Sequence, residues 1–350
     1  MSSAVEFDAK NMVFRRLGPS GLRVPLFSLG GWLTLGGSVR GDPVREIIKT
    51  AFENGINMFD TAEGYAAGRS EEEMGRVIRE LGLRRTDLII STKLFWGPHE
   101  PQNGMGYPGS ILMFCPRSIV EGTKESLQRL GLDYVDVIFA HRPDNTETVR
   151  AFNFVINQGW AFYWGTSEWS AREIEEAHHV AEKLGLMGPV AEQCEHHMLH
   201  RDRPEAEYAP IYSKYGMGTT VFSALAGGLL TGKYNNGIPP DSRLAGEQEQ
   251  WLKDRAKSLG EPEGQAMLAK IKALADVAEK VSHLALAWIA RSPNTSTPEQ
   301  IVDNLKALEV IPKLTPAIVE KIEGILGNKP RHPCPTFGRP PLDLFGRSSL

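Results

Sequence analysis

The chain has little of several features that would mark a specialised class. It carries three cysteines in 350 residues, Cys115, Cys194 and Cys334. None is spaced as CxxC, which gives no disulfide framework and fits a reducing compartment. No apolar run approaches the ~20 residues of a membrane-spanning helix, and the N-terminus lacks a basic-then-apolar leader pattern. A cytoplasmic location without direct membrane insertion is expected. Charge of one sign is also scarce: 39 Lys and Arg face 43 Asp and Glu, a formal net charge of −4. That balance provides no electrostatic footprint for nucleic acid or an anionic membrane. No G-x-G-x-x-G follows the first apolar run, which removes the main support for a doubly wound dinucleotide fold. Gly30-Gly31 and Gly36-Gly37 have other spacings and suit a loop where backbones approach closely.

What is present is a repeating alternation of short apolar runs and amphipathic helices. Residues 1–12 are polar and expected to fray. Val13–Leu17, the turn residues Gly18-Pro19-Ser20-Gly21, and Leu22–Val24 predict a hairpin. Strands are predicted at Leu26–Leu29, Ile56–Asp60, Leu88–Lys93, Val135–His141, Ala161–Thr166, Val190–Cys194 and Thr219–Ser223. They are continuous apolar runs, as in parallel strands covered on both faces. Helices are predicted between them at Pro43–Glu53, Ser70–Leu81, Ser118–Leu130, Thr146–Gln158 and Ala171–Leu184. Ser70 and Glu73 suggest a capping box, and Ser170 an N-cap. Strand starts recur about every 30 residues, apart from one wider gap before Val135, which predicts a (β/α)8 barrel over residues 13–329. A Pro-rich tail covers 330–350.

The seventh strand is followed by a Gly/Pro-rich stretch to about Gly260, then by predicted helices near Gly264–Val281 and Leu284–Ala290. Between Ala290 and the next helix, opening at Pro298, the chain offers only polar residues and a proline. The eighth strand is therefore expected to be missing or degraded.

The apolar runs end in ionisable residues: Asp60 on the second, Lys93 on the third, His141 on the fourth, with Tyr65 just after Asp60. In a parallel barrel these C-terminal strand ends converge on one mouth. Hydride reduction of a carbonyl creates an alkoxide that must receive a proton. Tyr can donate it, but its pKa of about 10 is high for the task. A Lys ammonium stabilises the phenolate, a carboxylate holds the Lys, and a His can hydrogen-bond the carbonyl oxygen. Each residue singly has a plainer reading as a cap, a loop anchor or a strand-end group satisfying backbone. Their occurrence together in strand order favours chemistry.

The segments GINMFDTAEGYAAGRSEEEMG (55–75), LIISTKLFWG (88–97), DYVDVIFAHRPD (133–144), VINQGWAFYWGTSEWS (155–170), VAEQCEHHM (190–198) and LLTGKYNNGIPPDSR (229–243) resemble the aldo-keto reductase superfamily. Within it they look like the branch of voltage-gated potassium channel β-subunits and their fungal relatives. The resemblance runs from about Val13 to Lys329 and places the family's tetrad on Asp60, Tyr65, Lys93 and His141. Animal channel subunits often carry Asn at the last position, so His141 leans toward a competent reductase. NADPH would lie across the barrel mouth. Gly31 and Trp32 match the loop beside cofactor and substrate, Asp60 also borders the cofactor, and Ser167 and Gln193 match the carboxamide partners. Phe222 matches the stacking ring, while Ser223, Leu225, Gly227 and Lys233 match the pyrophosphate belt. Arg243, Ser296, Gln300 and Asn304 match the adenosine end, where a guanidinium suits a 2′-phosphate.

By the same resemblance the substrate is a small carbonyl compound, and the partners are further copies in a homotetramer and the cytoplasmic domain of a potassium channel. Two alternatives to a working reductase are a redox-sensing channel subunit and an inactive isoform with an incomplete barrel. The apolar segment 106–116 and the short connection after His141 depart from the family. The spacing His197-x-x-His200 is a weak signal by itself, and no metal is expected.

Overall fold

The computed structural model describes residues 6–95, 97, 115–143, 147–246, 250–289 and 297–330. A hairpin opens the chain, with β1 (Phe14–Arg16) antiparallel to β2 (Arg23–Pro25). Then come β3 (Leu29–Gly30), α1 (Asp42–Glu53), β4 (Met58–Asp60), α2 (Arg69–Glu80), β5 (Ile89–Leu94), α3 (Pro116–Leu130) and β6 (Val135–Ala140). They are followed by α4 (Glu147–Asn157), β7 (Ala161–Ser167), α5 (Ala171–Leu184), β8 (Ala191–Glu195), α6 (Ala209–Tyr215) and β9 (Gly218–Phe222). The remaining helices are α7 (Gln250–Ser258), α8 (Pro262–Leu274), α9 (Val281–Ile289), α10 (Pro298–Leu305) and α11 (Pro316–Leu326).

Strands β3 to β9 pair in sequence order and all in parallel, giving a nearly closed seven-stranded barrel. Among the described residues there is no eighth strand, and β3 and β9 are the ends of the sheet. This agrees with the (β/α)8 reading short of one strand. The polar segment 290–296, with Ser296, lies outside the described residues, as do 98–114, 144–146 and the tail from 331. No described helix is long and apolar enough to cross a membrane.

Alternation along the strands explains where the core sits. Val137, Phe139 and Ala191 pack inside the ring with Leu17 of the hairpin turn, which closes its lower end. Their neighbours Ile138 and Ala140 point outward and pack with Val149, Phe152 and Val155 of α4 in the main helix–sheet core. Phe152 stacks on Trp164 at 5.3 Å and 5°. A second core joins Leu229 and Leu230 to α8, α9 and α11 through Ile271, Leu284 and Ile322.

Several local expectations change. Leu26 donates its N–H to Val13 O, 2.8 Å, so it extends the hairpin, and the first barrel strand starts at Leu29. Residues 6–12 do not simply fray: Phe7 packs on Phe52 at 5.2 Å and Met12 is buried. The capping box at Ser70 does not form. Helix α2 begins one residue earlier after left-handed Gly68, and Ser70 Oγ accepts from Thr61 Oγ1 at 3.0 Å. Glu73 instead accepts from Gly41 N, 2.9 Å, and pairs with Arg76. At Ser170 the cap is a full capping box with Glu173. The helix expected over Gly264–Val281 stops at Leu274, and α9 starts at Val281. The stretch before Gly260 contains α7, where only loop was expected. The Gly36-Gly37 loop is a close approach, since a Cβ on Gly36 would meet the Arg69 carbonyl carbon at 2.6 Å.

Candidate active site

The last inward-facing position of successive strands carries the polar residues singled out above. Asp60 ends β4, Lys93 lies one residue before the end of β5, and His141 follows β6, where its N–H extends the ladder to Leu94 O, 3.0 Å. Ser167 ends β7 and pairs in register with Gln193 of β8. A period of two puts these residues on one face once the strands are in register.

Lys93 is fully buried and donates to Asp60 Oδ2 at 2.5 Å and to Thr61 O at 2.7 Å. Asp60 Oδ1 accepts from Ser91 Oγ at 2.6 Å and Gln193 Nε2 at 3.2 Å. Lys93 Nζ stands 4.7 Å from the centre of the Tyr65 ring, and Tyr65 meets His141 edge-on, 5.7 Å between ring centres at 76°. Asp60, Tyr65, Lys93 and His141 therefore form one cluster.

Their protonation follows from burial and charge. Burial opposes the Lys93 ammonium, but Asp60 and Tyr65 outweigh it and raise its pKa, so Lys93 stays charged. Burial, with the Lys93 and Arg142 charges, holds His141 well below the usual imidazole range and keeps it neutral. For Tyr65, burial outweighs the lowering effect of Lys93, and the phenol lies above its ordinary value. Sequence reasoning expected the Lys93 effect to dominate. With burial larger, Tyr65 rests as the protonated donor.

Beside this cluster opens a cavity of about 1140 Å³. Its wall includes Trp32, Phe222, Ser223, Leu225 and Gly227, and farther along Lys233, Arg243, Gln300 and Asn304. The Phe222–Gly228 turn is irregular, with positive φ at Ser223, Ala226, Gly227 and Gly228. Gly31, Asp60, Ser167 and Gln193 are not in that wall. Gly31 N bonds Asp60 O at 2.8 Å, and Gln193 bridges Asp60 to Thr220 Oγ1 (3.3 Å) on the strand that ends in Phe222. The half-buried Arg243 guanidinium lines the cavity without an ion pair to any described residue. A large cleft with a guanidinium, an aromatic ring and glycine-bearing backbone fits an extended phosphorylated ligand.

Sequence reasoning missed several neighbours. Asp254 and Arg255 reach the cavity from α7, and Lys280 with Asp303 closes its far side as an ion pair at 2.6 Å. The i, i+4 pair Leu252 and Ala256 was the available signal for α7. Glu63, three residues after Asp60, has in the sequence the plain reading of a helix cap. It is buried and accepts backbone N–H bonds from Phe95 (2.6 Å) and Gly97 (2.8 Å).

Comparison with known proteins agrees with this geometry. The profile of the aldo/keto reductase family matches residues 27–326. A protein of Arabidopsis thaliana named "Probable voltage-gated potassium channel subunit beta" is 46% identical over 338 residues, covering 92% of this chain and 99% of its own length. A rice protein (Oryza sativa subsp. japonica) of the same name is 46% identical over 336 residues, 91% of this chain and 98% of its own. A Schizosaccharomyces pombe protein also named as such a subunit is 47% identical over 345 residues, 94% of this chain and 97% of its own.

Proposed function

Since this chain belongs to the aldo/keto reductase family, we propose that it reduces aldehydes or ketones to alcohols with NADPH, using Tyr65 as proton donor. The observation that carries this reading is the buried Lys93–Asp60 pair set 4.7 Å under the Tyr65 ring with neutral His141 edge-on to it. A reduced nicotinamide, when bound, supplies the hydride. The chain's residues handle the oxygen. His141 hydrogen-bonds the carbonyl oxygen and orients it. Tyr65 gives its hydroxyl proton to that oxygen as negative charge develops there. Lys93 offsets the charge left on the phenolate, and Asp60 keeps Lys93 in place and protonated.

The cavity supports NADPH as the cofactor. Phe222 offers a ring for the nicotinamide, the Ser223, Leu225, Gly227 and Lys233 turn suits the pyrophosphate, and Arg243 with Gln300 and Asn304 suits the adenosine end. The decisive measurement is NADPH oxidation with a panel of aldehydes, comparing wild type with Tyr65→Phe. Turnover falls by at least ~10²-fold for a lost general acid. Equal rates in the two proteins refute the assignment.

The names of the relatives support a second role for the same fold, as a partner of a voltage-gated potassium channel; a cytoplasmic homotetramer bound to the channel's intracellular domain is the form proposed for it. Co-purification with such a domain, and a native mass of four chains, test it. The complete tetrad argues against an inactive isoform; failure to bind NADPH or to melt cooperatively would favour one.

A further inference from the structure

Glu63 lies between Asp60 and Tyr65 and has no part in the proton delivery described above. It is 4% exposed. Its backbone N–H donates to Lys93 O at 3.1 Å, one rung beyond the Thr61 N to Ser91 O bond of 2.9 Å. Its side chain returns to the same place, Oε1 accepting from Phe95 N and Gly97 N at 2.6 and 2.8 Å. Main chain and side chain thus grip the exit of β5 at the carbonyl of Lys93 and at the N–H groups that follow it. Such N–H groups, where a strand leaves its sheet, otherwise lack a partner, and a carboxylate is a strong acceptor for them. Helix α3 passes a glycine over the carboxylate: a Cβ on Gly122 would lie 3.2 Å from Oε2. Two residues after Glu63 comes Tyr65, whose N–H bonds Ala62 O at 3.0 Å, so the turn carrying the phenol starts from this anchor.

We propose that Glu63 is a positioning residue that ties the Tyr65 turn to the exit of β5 and thereby fixes the Tyr65–Lys93 separation. This rests on the reading of Tyr65 as proton donor. Glu63 does not line the cofactor cavity, so its effect falls on the proton-transfer step and not on dinucleotide affinity. A full-length carboxyl-like acceptor is what the site requires, and Gln supplies one.

The test compares Glu63→Ala, Glu63→Gln, Tyr65→Phe and Glu63→Ala with Tyr65→Phe. It reads kcat and KM for one aldehyde, NADPH Kd by fluorescence titration, and the thermal midpoint. Glu63→Ala lowers kcat by about 10- to 100-fold, the cost of a misplaced catalytic group, while NADPH Kd moves by less than about two-fold. Glu63→Gln restores kcat to within about five-fold of wild type, because its amide oxygen still accepts both N–H bonds. In the Tyr65→Phe background, Glu63→Ala costs less than about two-fold, since residues acting through one another are non-additive. Unchanged kcat in Glu63→Ala, or equal additional losses in the wild-type and Tyr65→Phe backgrounds, overturns the proposal. Should Glu63→Ala not fold, loss of kcat in a folded Glu63→Gln equal to that of Tyr65→Phe likewise overturns it. If Tyr65→Phe itself turns over normally, the proton-donor reading fails, an outcome distinct from these.

Discussion

Lys93 and Asp60 are joined inside the barrel by a 2.5 Å contact between Nζ and Oδ2, with the Lys93 side chain wholly removed from solvent. An ion pair so placed is costly to break from one side, because the remaining charge stays buried. Lys93→Met should destabilise the fold by ~3–5 kcal/mol. Asp60→Asn combined with Lys93→Met should recover part of that loss, as measured by urea unfolding. Both variants lose turnover, so stability and activity separate in the double variant.

Arg243 faces the cavity without a carboxylate partner among the described residues, so removing its charge orphans none of their anions. Arg243→Met should leave the melting temperature of the free protein unchanged or slightly higher. NADPH affinity should drop by about 10- to 100-fold, the worth of a charge-assisted hydrogen bond, with a smaller change for NADH. Fluorescence titration with the two dinucleotides measures the difference.

Burial pushes Glu63 up from an ordinary 4.5 to about 7, helped by Glu71 and opposed by Phe95 and Gly97 N–H bonds and by Arg129. Its folded pKa lies above its unfolded one, so the native state binds the extra proton between those values. The penalty is absent below pH 4.5, grows across the interval and is complete above about 7. The full interval corresponds to ~3 kcal/mol. Chemical unfolding across that range should show wild type losing stability relative to Glu63→Gln as pH rises. A flat difference would contradict the assignment of the raised pKa.

Arg201 grips Glu205 and Glu323 through four contacts of 2.7 to 2.9 Å, and its guanidinium lies 4.7 Å over the Trp288 ring. It fastens α11 to the turn after β8. Arg201→Ala should cost ~3–5 kcal/mol by stranding two partly buried carboxylates. Hydrogen exchange should speed up in α11 before it does in β5 or β6.

Gly75 sits within α2 where a Cβ would collide with Leu130 O at the end of α3. Helix propensity alone makes Gly75→Ala stabilising by ~1 kcal/mol. Contact with rigid backbone should reverse the sign and cost ~1–3 kcal/mol, lowering the midpoint of thermal unfolding.

The barrel was legible because most of its strands are short apolar runs, and β4 to β8 each carry a polar residue at or just past the last inward position. That same regularity made Asp60, Lys93, His141, Ser167 and Gln193 readable as one surface. What escaped depends on contacts distant in sequence. Ser70 has the spacing of a capping box, yet Thr61, nine residues away, takes its hydroxyl. Glu63 resembles a helix cap in sequence, while its partners Phe95 and Gly97 are more than 30 residues off. The direction of the Tyr65 pKa was misjudged because sequence names the neighbouring charge but not the depth of burial.

Among the described residues the ring of strands ends at β3 and β9, and the two arcs of this hoop differ in burial. Strands β5 and β6 are six residues long and buried throughout, whereas four of the five residues of β9 are partly exposed. The groups proposed to deliver the proton ride on the buried arc, where displacement meets close-packed neighbours on both faces. The cavity spans the more exposed arc, from Phe222 at the tip of β9 to Gln300 and Asn304 on α10. A ligand laid across it works as a clasp on the hoop, so saturation at 100 times Kd should add ~2.7 kcal/mol to stability. If the ligand is the dinucleotide proposed above, heat tolerance is thereby coupled to its supply in the cell.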